Sequence, residues 1–201
     1  MEADWEVEIG GGAPVIEALW PGFVDLRQNP LRIEEVSEAV AFPALARFLA
    51  QVNGAGSPLW TSKCDVWEPH AAQQAGSDPD QPANDEDDSE IPSLACYIDL
   101  LPRQGAVFAQ WEDAVRFCRA WVDRLESVDL PLHRVELIVR QAVAGEAEGF
   151  GITSYVSVLE SLHESSAGRI RAWEGSANQL AVALDVLAAA IPVCDVSAAG
   201  A

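Results

Sequence analysis

The chain has 201 residues, 49% of them apolar, and sets 12 Lys and Arg against 32 Asp and Glu for a formal net charge of −20. That length allows one sizeable core, and seven tryptophans are available to fill it, which excludes disorder of the whole chain. The charge repels nucleic-acid phosphates and anionic lipid heads, so the partner to expect is neither nucleic acid nor membrane but a basic or amphipathic protein. High acidity with a single lysine is also a solubility habit of proteins from salty or high-GC organisms.

Trp5, Val7 and Ile9 alternate with Asp4, Glu6 and Glu8, the period of a half-buried strand, which Gly10-Gly11-Gly12 ends. Pro14 is placed to open a short helix through Leu19, with Pro21 as its stop. A helical stretch begins near Arg32 and is divided by Pro43, because proline lacks the helical donor and crowds the preceding turn. Beyond it, Leu45, Phe48, Leu49 and Val52 mark one buried helix face, and Asn53-Gly54 supplies a stop.

Leu59 to Trp67 predicts a second strand, with Trp60, Cys64 and Val66 on one side and Thr61, Lys63, Asp65 and Trp67 on the other. Residues 70–92 contain no Lys or Arg. Their many carboxylates repel one another and prolines interrupt any helix, so a mobile acidic loop is expected there. Leu94 to Leu101 predicts a third strand with Cys96, Ile98 and Leu100 on one face. Trp111, Val115, Cys118, Val122 and Leu125 fall at helical spacing, and Arg116, Asp123 and Arg124 can face water. Val135, Leu137 and Val139 alternate with Arg134, Glu136, Ile138 and Arg140 in a fourth strand. Gly145 to Gly149 turns the chain into a fifth, Gly151 to Val158, as a hairpin. Leu180, Leu184, Leu187 and Ile191 form the stripe of a last helix that Pro192 ends, and 194–201 is a frayed tail.

The reading is a single α+β domain over 1–193, interrupted by the loop. The order β-α-β, loop, β-α-β, then β-α resembles the ferredoxin-like arrangement with an extra β-α unit. Helices then cover mainly one face of a mostly antiparallel sheet, because strands one and four are polar on one side.

No motif supports catalysis. Gly10-Gly11-Gly12 lacks the lysine of a phosphate loop and the third glycine of a dinucleotide turn, since Val15 stands there. His163-Glu164 begins a zinc-protease pattern that Ala167 breaks, and G-x-S-x-G is absent. An EF-hand from Asp78 fails at Ala83 and Ser89. Cys64 and His70 are near in sequence, but Cys64 shares its strand side with Trp60 and Val66, as a structural thiol would. The four cysteines Cys64, Cys96, Cys118 and Cys194 have no metal-binding spacing, and their apolar surroundings fit reduced thiols. Met1-Glu2-Ala3-Asp4-Trp5 has neither the basic nor the apolar region of an export signal. The expected protein is soluble and cytoplasmic, and no cofactor or metal is expected.

What carries function in this reading is a surface. With strands one and three as the central pair, the uncovered face holds Glu6, Glu8, Tyr97 and Asp99. Arg134, Glu136 and Arg140 flank it on one side, Lys63, Asp65 and Trp67 on the other. Acids and aromatics on an open sheet suit a basic or amphipathic protein partner, or a second copy of the chain. The predicted function is therefore a small acidic binding or regulatory protein, of which an immunity protein or an inhibitor of a basic enzyme is one version. The alternative is a small enzyme or ligand-binding domain with a pocket beside the acidic loop.

Overall fold

Among the described residues, alternating side chains build six strands: β1 Glu2–Glu8, β2 Ile16–Ala18, β3 Leu59–Trp67, β4 Pro92–Pro102, β5 His133–Ala144 and β6 Ala147–Leu159. Four helices among the described residues accompany them: α1 Ser37–Ala41, α2 Pro43–Asn53, α3 Trp111–Leu125 and α4 Arg169–Ala189, with a 3-10 turn at Pro30–Glu35. The structure, a computed structural model, describes residues 1–69, 92–131, 133–159 and 169–192. Except for Pro92, the expected acidic loop 70–92 lies outside the described residues, as does the tail 194–201. No helix among the described residues is long and apolar enough to cross a membrane.

The class is α+β, and the sheet is open and mostly antiparallel, in the order β1-β5-β6-β4-β3. Only β1 and β2 run parallel to their neighbour, β5. β5 and β6 form a long hairpin closed by Gly145-Glu146, where Gly145 takes a φ of 65° that glycine adopts at little cost. Strands one and three are not a central pair. β1 is an edge, and β4 is separated from it by β5 and β6. Side-chain alternation reports which face of a strand is buried, not which neighbour it bonds, so this order was invisible in the pattern.

The segment from Pro14 to Leu19 is not a helix. Ile16 and Ala18 are buried and Glu17 is exposed, which is strand alternation, and β2 pairs with Ala142–Ala144 where β1 has paired with Arg134–Arg140. β1 and β2 are thus one interrupted edge strand. Gly10 and Gly12, at φ 128° and 105°, turn the chain out between its halves.

The expectation that helices cover one face holds. Leu45, Phe48, Leu49 and Val52 of α2, Cys118, Trp121 and Leu125 of α3, and Leu180, Leu184 and Leu187 of α4 share one core. The sheet contributes Cys96, Ile98, Leu100, Val135, Leu137, Val139, Ile152, Val156 and Val158 to it. Pro43 is the first residue of α2, where its missing N–H costs nothing. Trp111, expected in this core, is 39% exposed because it is the first residue of α3 and lies beyond the packed turns.

A second, smaller core was not anticipated. Ile16, Ala18, Trp60, Leu101, Val107, Ala142 and Ala144 pack on the opposite sheet face at one end. Trp60 belongs there because β3 shifts register between Thr61 and Cys64. One extra residue puts Trp60 and Cys64 on opposite faces, and turns Thr61 inward with Cys64. The Trp60 indole N–H donates to the Pro102 carbonyl at 2.9 Å, and the Arg27 guanidinium lies 3.7 Å from its ring centroid.

Candidate open-face binding site

Beyond the small core, no helix of the described residues covers the face opposite α2, α3 and α4. The register sets its rows. Asp4 neighbours Glu136, Glu136 faces Tyr155, Tyr155 faces Tyr97, and Tyr97 faces Asp65. The next row runs Glu6, Ile138, Thr153 and Asp99. Glu8 and Arg140 begin the following row, and Arg134 and Trp67 lie on the far side of the tyrosines. Glu6, Glu8, Asp65, Trp67, Tyr97, Asp99, Arg134 and Glu136 thus share one face. Lys63 stands in the β3 bulge beside them.

The centre is aromatic. Trp67, Tyr97 and Tyr155 form a triangle with ring centroids 6.1, 6.3 and 6.1 Å apart. Tilted and edge-on rings at this spacing attract through their quadrupoles, so the three hold one another in place. All three are half-buried. Desolvation, followed by the nearby charges of Asp99 and Asp65, pushes the Tyr97 phenol up to about 12, so it stays a neutral donor.

Beside the triangle a polar line joins four strands. Arg140 Nε donates to Glu8 Oε2 at 2.9 Å, Arg140 Nη1 donates to Thr153 Oγ1 at 3.3 Å, and the Thr153 hydroxyl donates to Asp99 Oδ1 at 2.6 Å. The Arg140 guanidinium also lies 5.6 Å from the Tyr155 ring centroid. Asp99, expected as a rim acid, is only 7% exposed. Burial raises its pKa, opposed by the Thr153 hydroxyl and the charges of Arg140 and Lys63. Arg134 pairs with Glu136 at 2.7 Å, and Lys63 with Glu17 at 3.6 Å.

Sequence reasoning missed Tyr155 and Thr153, and it placed Arg140 on this side without giving it a role. The signal was present: Thr153, Tyr155 and Ser157 alternate with Ile152, Val156 and Val158 along β6.

Cys64, the thiol weighed as a nucleophile, is not activated. Burial, reinforced by Glu38, Asp65 and Asp99, raises the Cys64 thiol to about 12, far from thiolate formation at neutral pH. His70 lies outside the described residues. Among the described residues no three His, Cys, Asp or Glu side chains converge as a metal site would need. The face instead carries seven carboxyls (Glu2, Asp4, Glu6, Glu8, Asp65, Asp99 and Glu136) against Lys63, Arg134 and Arg140. No family model, curated protein or solved structure matches the chain.

Proposed function

We propose that this is a small acidic binding or regulatory protein that docks a basic protein partner on its open sheet face. The observation that carries the reading is the Trp67, Tyr97 and Tyr155 triangle, which stands half-exposed among carboxyls. Aromatic anchors inside a polar rim are the usual anatomy of an interface, and acids around them favour a cationic partner. An immunity protein or an inhibitor of a basic enzyme is one version of this role. The cytoplasm suits it, because Cys64, Cys96 and Cys118 are free thiols. In the same reading, β4, α3 and β5 with β6 between them form half of a ferredoxin-like arrangement, since β4 and β5 run parallel. A second copy of the chain is the competing occupant.

The test is positional. A photo-crosslinking amino acid replaces Ser157 on this face or the exposed Ala50 on α2. A basic protein captured from Ser157 and not from Ala50 supports the reading. Its affinity should fall steeply with salt, since rim charges act through long-range attraction. Tyr97→Ala with Tyr155→Ala should weaken it about 30-fold, the effect of a hot spot of roughly 2 kcal/mol. Ser157→Arg should also weaken it without removing any aromatic packing. Equal capture from both positions, affinity indifferent to salt, or full affinity in these variants would remove the face as the site. Self-association measured by sedimentation would assign the face to a second copy.

A further inference from the structure

A cavity of ≈ 640 Å³ opens at one end of the sheet, between the α2–β3 connection, the β4–α3 connection and the start of α3. This volume lies within the range of about 300–1,000 Å³ typical of small-molecule sites. Pro58, Pro102, Val107, Phe108 and Phe117 supply apolar walls. Two charged side chains, Arg103 and Asp113, line it as well.

These two charges are not equivalent. Asp113 is paired with Arg116 Nη1 at 2.9 Å, an exposed contact that screens its charge without cancelling it. Arg103 has no carboxylate partner among the described residues. Its Nε donates to the Ser57 carbonyl at 2.8 Å, and its Nη2 to the Asn53 and Gly54 carbonyls at 2.8 and 2.9 Å. Those bonds fix the guanidinium against the C-terminal end of α2. They also occupy Nε and Nη2, leaving the two protons of Nη1 without an acceptor among the described residues. In a chain of net charge −20, this is a held cation with spare donors on an apolar cavity.

The cavity wall is held by the fold itself. Phe108 pairs with Phe150 through two backbone bonds of 2.8 and 2.9 Å. A Cβ on Gly149 would stand 2.3 Å from the Phe108 carbonyl oxygen, so the glycine permits that approach. Gly105 and Ala106 follow Arg103 at φ 80° and 64°. A left-handed alanine is strained and persists only where surrounding contacts enforce it.

We propose that this cavity binds a small amphipathic carboxylate, an apolar chain or ring bearing one anionic group. The carboxylate accepts from Arg103 Nη1, and the apolar body lies along Phe108, Phe117 and Val107. The site is independent of the open sheet face.

The test titrates the full chain with decanoate, decanol and decylamine, each below its micelle concentration, by calorimetry. Decanoate should bind at least tenfold more tightly than decanol, the factor expected for a charge-assisted hydrogen bond, and decylamine more weakly than either. Arg103→Met should bring decanoate to the level of decanol. Because Arg103 also staples the α2 terminus, Asp113→Asn is the second variant. It removes the opposing wall charge and should tighten decanoate severalfold while leaving decanol unchanged. No saturable decanoate binding, equal affinity for decanoate and decanol, preference for decylamine, or no response of decanoate to Asp113→Asn would each overturn the proposal.

Discussion

Trp121→Phe tests how α3 and α4 are joined. Trp121 is fully buried, and its indole N–H donates to the Leu187 carbonyl at 3.1 Å. α4 ends at Ala189, so Leu187 is among the last four residues, whose carbonyls lack a helical donor. Val186 and Ala188 find theirs in the amides of Ala190 and Ile191, and the indole serves Leu187. Phenylalanine leaves that carbonyl buried and unpaired, at about 1–3 kcal/mol. It also removes the volume of roughly two methylene groups, at about 0.8 kcal/mol each. The expected loss is about 3–4 kcal/mol, a drop of roughly 10 °C in Tm for a chain of this size. Trp111→Phe, at the 39% exposed end of the same helix, should change stability by less than about 0.5 kcal/mol. Urea unfolding followed by far-UV circular dichroism measures both. Equal effects of the two substitutions, or a loss under about 1 kcal/mol for Trp121→Phe, would refute the capping argument.

Asp99→Asn should become progressively stabilising as pH rises. Burial raises the folded carboxyl's pKa, so the folded state holds its proton where the unfolded state has released it. Wild-type stability therefore falls as pH rises from the unfolded value of about 4 through the folded value. Asparagine keeps an acceptor for the Thr153 hydroxyl and does not ionise. Urea midpoints should show a larger advantage for the variant at pH 7 than at pH 3, and a constant or reversed difference would contradict the assignment. The Cys64 and Cys118 thiols, both raised to about 12 with burial as the leading cause, should resist iodoacetamide at pH 8 in the folded protein and react once urea unfolds it. Rapid labelling of either thiol in the native chain, located by peptide mapping, would show that it is accessible and activated.

Much of the fold was legible where one periodicity ran unbroken. The stripe from Val115 to Leu125 and the alternation of β5 show in the sequence which sides are buried. The failures have local causes. One inserted residue near Ser62 and Lys63 turns Trp60 to the other face, and a period-2 reading across it mixes the two sides. Three residues are too few for Ile16–Ala18 to declare a strand against the helix-opening signal of Pro14. Strand order depends on which edges meet in space. The polar sides of β1, β4 and β5 were legible, because alternation within each of those strands fixes them whatever the order. Asp99's burial was not, since it follows from neighbours on β5 and β6.

The carboxyls on the open face have separate explanations. Glu2, Asp4 and Glu6 project from β1, whose outer edge pairs with no other strand among the described residues, and charges there discourage edge-to-edge pairing with another sheet. Glu8 and Asp99 terminate the line through Arg140 and Thr153, which gives a half-buried and a buried carboxyl the hydrogen-bond partners they need. Glu136 is paired with Arg134. These roles account for most of the acids without invoking a partner. They do not account for Trp67, Tyr97 and Tyr155, since stability favours burying large aromatic rings and the same chain does bury Trp60 and Trp121 completely. Leaving three rings half-exposed together on a rigid sheet forgoes that stabilisation. The aromatic triangle, more than the acidity around it, is therefore what the proposed docking role rests on.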